Sequence, residues 1–349
     1  MTSRIIIYAP NLHTGGGLVV LQDLISSMPK NVSCKYYLDI RSKVLNLHHA
    51  ADVVWVKPSF LSRFKSELDL FLSSTNEDAT LLLHSLPPIF FTRGKRILYL
   101  HNKLLLNSYF QFFKFPIRVA LRIFIERIIL RLFISRVDEV LVQTFSMKLL
   151  FLERFPSVIK QISVLPFLKH NNGIVDDLDK KSHFDFIYVA SSEQHKNHLN
   201  LFKALVLLKK EGLNFSLAVT IPSSDKRMLG IIQNYVNRYS IDIVNIGVLS
   251  RSSIYEAYRH SGALIYPSTE ESFGLPLVEA QMLGLPIIAS ELDYVRDICF
   301  PKETFDPSSP LSISRAIIRF CKADVGQNVF ILDSADFVNE FMRKVNYCE

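Results

Sequence analysis

The chain has 349 residues, of which 49% are hydrophobic and 21% charged, and a net charge of +7. Its length exceeds the roughly 250–300 residues at which single cores stop growing, which favours two domains. The composition excludes a disordered chain, and no predominantly apolar stretch reaches the about 18 residues that a transmembrane helix needs.

In chain order, short β-branched or aromatic runs alternate with longer helical patterns. Strands are predicted at 4–9, 34–39, 52–57, 79–83, 96–100, 138–142 and 161–165, with helices at 18–28, 59–72, 116–135 and 144–153. The start, Arg4 to Ala9, reads as a first strand rather than as a signal peptide. A polar stretch follows, Lys169 to Gly173 and then Asp176 to Lys181, and reads as a linker. Alternation restarts with strands at 184–190, 215–220, 242–246, 262–266 and 286–289. Helices are predicted at 197–210, 224–238, 251–260, 276–283 and 311–322, with a last one at 335–346. Such alternation implies parallel sheets covered by helices. The fold expectation is α/β, two Rossmann-like domains facing across a cleft: 1–168, a linker at 169–183, 184–330, and a C-terminal helix in 331–349 crossing back to the first domain.

The charge is unevenly placed. Residues 1–165 hold 21 Lys+Arg against 11 Asp+Glu, and residues 166–349 hold 19 against 22. The basic half suits an anionic membrane surface or an acidic acceptor. Nucleic acid is not expected, because no reading motif is present. Between residues 103 and 136, seven basic residues with Glu126 as the only acid are interleaved with Phe and Ile. This segment suits an anionic membrane face or a domain helix with a charged outer side. Arg118 and Arg122 share a face while Arg127 and Arg131 lie nearly opposite, so one clean amphipathic helix is not expected. Cys34, Cys299, Cys321 and Cys348 are scattered, as in a reducing, cytoplasmic compartment. Asp177-x-Asp179 has the form of a metal motif, but it lies in the polar linker rather than at a strand end.

In open α/β sheets, ligands bind beyond the carboxyl ends of the strands. Five post-strand segments therefore carry the chemistry. The first runs from Tyr266 to Ala280. Gly274 allows close backbone approach, Pro276 suits a first helical turn, and the helix start favours a phosphate. Glu271 and Glu279 supply acceptor-only carboxylates suited to sugar or ribose hydroxyls. On the residues alone, an ordinary strand-loop-helix with a capping Glu fits equally well. The second is Tyr188 to Asn197, where Ser191 and Lys196 open a helix. Lys196 can neutralise a diphosphate or can be simply exposed. The third is Asn11 to Gly17, whose Gly16 and Gly17 permit close approach or form a flexible loop. The fourth is His101, after the strand at 96–100. The fifth is Gly247-Val248-Leu249, after the strand at 242–246.

Glu271-x-Phe273-Gly274-Leu275-Pro276-x-x-Glu279-Ala280 resembles the E-x7-E motif of family 4 glycosyltransferases of the GT-B type. The flanking Gly262 to Ser268 and Gly284 to Ser290 are similar to that family's adjoining strands. The resemblance implies that Glu271 contacts the donor sugar and Glu279 the nucleotide ribose. Backbone at Phe273, Gly274 and Leu275 would hold sugar hydroxyls and phosphate. It further implies Lys196 at the donor phosphates, Gly16 and Gly17 against the donor, His101 hydrogen-bonded to the transferred sugar, and backbone near Leu249 at the base. Ser191 stands where the family carries an Arg. The function so implied is retaining, metal-independent transfer from a UDP- or GDP-sugar to a glycan acceptor. A lipid-linked acceptor in cell-surface polysaccharide (O-antigen- or capsule-like) synthesis, at the cytoplasmic membrane face, is expected. A non-catalytic nucleotide-sugar-binding subunit and a sugar-nucleotide epimerase are the alternatives.

Overall fold

The computed structural model describes residues 4–29, 31–44, 52–107, 117–156, 161–167 and 183–322. The linker at 169–183, but for His183, and the helix at 335–346 lie outside them, as does Asp177-x-Asp179.

The first α/β domain is a seven-stranded, all-parallel sheet in the order β3-β2-β1-β4-β5-β6-β7. Its strands are β1 (Ile5–Ala9), β2 (Cys34–Asp39), β3 (Asp52–Val56), β4 (Ala79–Leu82), β5 (Lys95–Leu100), β6 (Glu139–Val142) and β7 (Gln161–Val164). The helices are α1 (Gly15–Ser27), α2 (Phe60–Ser73), α3 (Ile117–Phe133) and α4 (Phe145–Arg154). β1 reads Ile-Ile-Ile-Tyr-Ala without polar alternation because helices cover both faces of a parallel sheet. Val20, Leu21 and Ile25 of α1 pack on one face. Leu70 of α2, Ile123 and Leu130 of α3, and Met147 and Phe151 of α4 pack on the other. Three helices share that face because α2, α3 and α4 all cross toward the β7 edge, and right-handed crossovers then fall on one side.

The second domain is a six-stranded parallel sheet in the order β10-β9-β8-β11-β12-β13. Its strands are β8 (Phe184–Tyr188), β9 (Ser216–Val219), β10 (Asp242–Asn245), β11 (Ser261–Tyr266), β12 (Ile287–Ser290) and β13 (Glu303–Phe305). Its helices are α5 (His198–Lys210), α6 (Lys226–Tyr239), α7 (Arg251–Arg259), α8 (Leu275–Met282), α9 (Asp293–Arg296) and α10 (Pro310–Lys322). Their buried residues form one continuous core. β13 and α9 are absent from the sequence expectation. Three and four residues carry no periodicity, and β13 exists through its register with β12, Ser290 opposite Phe305.

Both sheets reverse strand order beside their first strand, between β1 and β4 and between β8 and β11. Those switch points open crevices beyond the carboxyl ends of the strands. The two crevices face one another. Lys103 N, just past β5, donates to Ser272 Oγ at 2.8 Å, and Asn107 Nδ2 donates to Glu270. Two further contacts join the domains: Arg251 of α7 pairs with Asp23 of α1, and Ser146 N of α4 donates to Asp297 Oδ2 at 2.8 Å.

Candidate active site

The second crevice is built from two post-strand loops. After β8 the chain turns through a short 3-10 segment, and Asn197 adopts a left-handed conformation (φ 61°) at the start of α5. The Asn197 side chain fixes that turn by donating to Pro267 O at 3.0 Å and Pro307 O at 2.7 Å. Thr269 N donates to His195 O at 2.8 Å, stitching the β8 loop to the β11 loop. The result is a short ion pair: Lys196 Nζ lies 2.7 Å from Glu271 Oε1, with the side chains 15% and 11% exposed. The same oxygen accepts from Tyr266 OH at 2.9 Å. From β8, Tyr188 OH donates to Lys196 O at 2.6 Å. Two buried tyrosines thus fix the Glu271 carboxylate and the Lys196 backbone at the switch point. Tyr266 and Tyr188 were legible only as strand residues, because it is the path of the loop after each strand that brings its partner back to the hydroxyl.

Gly274 (φ 79°) precedes α8, with Pro276 in the helix's first turn. No side chain caps α8; Pro276 has no N–H and Leu277 N donates to Gly274 O at 2.9 Å, so the helix start offers the crevice its positive dipole end and the backbone around Gly274. The Phe273 side chain is buried, which leaves its backbone as the available contact. Glu279 is also buried and accepts from Tyr258 OH at 3.1 Å. Desolvation raises its pKa, opposed by Tyr258 and the nearby Arg251. Arg251 begins α7, just after the turn at Gly247 (φ 73°) and Leu249. Arg251 therefore stands near Glu279 of α8, four residues after Gly247.

Ser191 is exposed and donates to Glu193. Where an Arg would add positive charge, the structure places a hydroxyl beside a carboxylate. Lys196 is thus the cation that the structure sets in this crevice from the β8 loop.

In the facing domain, Gly15, Gly16 and Gly17 form the first turn of α1 rather than a loop preceding it. A Cβ on Gly16 would stand 3.1 Å from Leu275 Cδ1, and one on Gly17 2.9 Å from Leu12 Cδ2. Both positions are tight, because an added Cβ would press the end of a leucine side chain, from the opposite domain at Gly16 and from the chain's own turn at Gly17. His101 follows β5, and its Nε2 lies 3.4 Å from where that Gly17 Cβ would stand. Ser85, itself left-handed (φ 66°), receives the His101 backbone N–H at 3.1 Å and meets Nδ1 at 3.0 Å. Ser85 therefore fixes the ring with Nε2 toward α1. Burial lowers the His101 pKa to about 4, so the ring is neutral near pH 7. Nothing in its local sequence marks Ser85, which acts through residue 101.

Several of the predicted residues are brought together between the domains. Lys196 and Glu271 are paired, Leu275 meets Gly16, His101 adjoins Gly17, and Glu279 is held by Tyr258 with Arg251 near it. Ser191 turns aside. Among the described residues, no three His, Cys, Asp or Glu side chains gather as a metal site.

Two facing parallel sheets with switch-point crevices and a glycine-gated helix start define the GT-B class. Residues 175–331 match the model of the family described as glycosyl transferases group 1. Among curated relatives, the serotype-specific mannosyltransferase WbdA of Escherichia coli is 30% identical over 139 residues, 38% of this chain and 16% of WbdA. The O-antigen chain mannosyltransferase RfbU of Salmonella typhimurium is 23% identical over 173 residues, 49% of this chain and 47% of RfbU. The matches thus span less than half of each relative's length. Among solved structures, Anabaena HepE in complex with UDP and glucose superposes with a TM-score of 0.67 at 16% identity, covering 92% of this chain and 90% of that one.

Proposed function

We propose that the protein is a retaining glycosyltransferase that moves a sugar from a UDP- or GDP-linked donor to a lipid-linked glycan acceptor in cell-surface polysaccharide synthesis, without a catalytic metal. The observation that carries the reading is the Lys196–Glu271 pair at the second switch point, beside the uncapped start of α8 and opposite Gly16. The names of WbdA and RfbU support glycan assembly, and HepE's complex with UDP and glucose supports a nucleotide-sugar donor.

In this reading the donor diphosphate replaces Glu271 as the partner of Lys196 and meets the positive dipole end of α8. Glu271, released, accepts hydroxyls of the donor sugar, while Glu279 accepts those of the ribose. Transfer passes through an oxocarbenium-like state with charge building on the departing diphosphate. Lys196 and the α8 start offset that charge in a water-poor crevice. His101, neutral and fixed by Ser85, hydrogen-bonds the transferred sugar.

The test is a binding panel of UDP- and GDP-sugars in EDTA, wild type against Glu279→Ala. Loss of the ribose contact should weaken one donor by about 1–3 kcal/mol. If no nucleotide-sugar binds, or the variant is indifferent, the donor assignment fails. The Ser191–Glu193 contact favours one second reading, a donor-binding subunit without turnover. Donor binding without product, in the presence of a competent acceptor, would establish it.

A further inference from the structure

The outward face of the first domain carries a feature that catalysis does not use. Among the described residues, twenty-four large hydrophobic side chains are markedly exposed, and fifteen of them lie on α2, α3 and α4. They form stripes rather than scattered positions. On α2 the stripe runs from Phe60 through Phe64 and Leu68 to Leu72, and Phe90 packs edge-on against Phe64, with ring centroids 5.4 Å apart. On α3 it runs from Ile117 through Leu121, Ile125 and Ile128 to Leu132. α4 adds Phe145, Leu149 and Leu152. The stripes are side by side, because Arg63 of α2 acts on Glu126 of α3, and Arg127 of α3 feels Arg154 of α4.

At about 100° per residue, the α3 stripe lies opposite Ile123 and Leu130, which face the sheet. Arg118 and Arg122 then flank the stripe on one side and Arg131 on the other. Arg118, Arg122 and Arg131 border an apolar band instead of lining one polar face. An apolar band edged by long cations is the arrangement of helices that lie in a bilayer interface, where the alkyl stems embed and the guanidiniums meet lipid phosphates. A patch of this extent on a monomer marks an interaction surface.

We propose that the α2–α3–α4 face of the first domain docks on an anionic bilayer surface. This deepens the lipid-linked-acceptor reading and rests on it for its purpose. The first turns of all three helices, with Phe60, Leu61, Ile117 and Phe145 the most exposed of their apolar residues, lie at the end of the sheet where the crevice opens. The docked face thus brings the crevice to the membrane, where such an acceptor resides. No described helix is long and apolar enough to cross the membrane, so the contact is interfacial. Two other occupants fit less well. A second copy would bring the same arginines against each other. Residues 323–349, with five acids to two cations, suit the charge. However, the helix expected there is about 18 Å long and about 10 Å wide, too narrow to cover stripes on three adjacent helices.

The test is flotation of the full chain with vesicles of phosphatidylcholine alone or with phosphatidylglycerol, at low and high salt, for wild type, Leu121→Ser/Ile125→Ser and Arg118→Gln/Arg122→Gln. The wild type should float with the anionic vesicles only, and less so at high salt. Each double variant should lose binding on the order of ten-fold while keeping its melting temperature. Failure of the wild type to bind anionic vesicles overturns the proposal. If both variants also melt several degrees lower, the chain itself covers the face. If the wild type is dimeric and the variants monomeric by light scattering, a second copy does. Donor binding measured without vesicles on the same samples separates the outcomes, since its loss in the wild type refutes the transferase reading and leaves the surface standing.

Discussion

Replacing Lys196 by Ala separates a structural from a chemical role for the switch-point ion pair. In the unliganded protein, Lys196 Nζ and Glu271 Oε1 are 2.7 Å apart, with little exposure on either side chain. Removing one partner of a fully buried pair costs about 3–5 kcal/mol. Here both groups keep some contact with water, and Tyr266 OH still donates to Glu271 at 2.9 Å. The expected loss of stability in K196A is therefore about 2 kcal/mol. Glu271→Gln should cost roughly half as much, since the amide oxygen can still accept from Lys196 and Tyr266. The kinetic effect should be larger, because removal of one preorganised donor from developing charge typically costs on the order of 10²–10³ in kcat. Urea denaturation without donor measures the first quantity, and initial rates of transfer measure the second. If K196A loses the expected stability but keeps kcat within about three-fold of wild type, well inside that range, then Lys196 only braces Glu271. The diphosphate role would then be wrong.

Ser85→Gly keeps the left-handed backbone at residue 85 while deleting the hydroxyl that holds His101. Transfer kcat/KM should drop about ten-fold with the melting temperature almost unchanged; an unchanged rate would remove Ser85 as a positioning residue. Burial lowers the pKa values of His84, His101 and His198 to about 3, 4 and 4. Their folded forms bind protons less readily than the unfolded chain, so the stability they contribute is present above pH 6.5 and is lost as pH falls toward 4. Glu67 works in the opposite sense. Burial raises it to about 7 against the opposing hydrogen bond from Ile89 N, so its contribution is full below pH 4.5 and is lost as pH rises to 7. Three groups outweigh one, and a denaturation series should show net loss of stability below pH 6. Glu67→Gln should flatten the opposing slope and raise stability above pH 7 by roughly 2 kcal/mol; an unchanged profile would refute the buried-carboxylate assignment.

The strand and helix alternation was legible because a parallel sheet buried on both faces needs uninterrupted apolar strands, as in Ile5–Ile7 and Leu264–Tyr266, separated by amphipathic helices. The Glu271-to-Glu279 loop was legible because Gly274 and Pro276 mark a helix start in the local chain itself. Ser85 and Tyr258 were not, since each matters through a hydroxyl that meets a residue on another element, nor were Tyr188 and Tyr266, whose partners are brought back by the fold of the loop after each strand. The three-residue strand Glu303–Phe305 was invisible for a related reason, having no pattern apart from its neighbour. The sequence by itself therefore determined the kind of domain, its repetition, and which loops end at a crevice, because these follow from local periodicity and backbone conformation. Only the tertiary structure decided that Lys196 meets Glu271, that Gly16 admits Leu275, and that three helices join their outer stripes into one face. Those facts depend on strand order and on the approach of two sheets, which no local run of residues encodes.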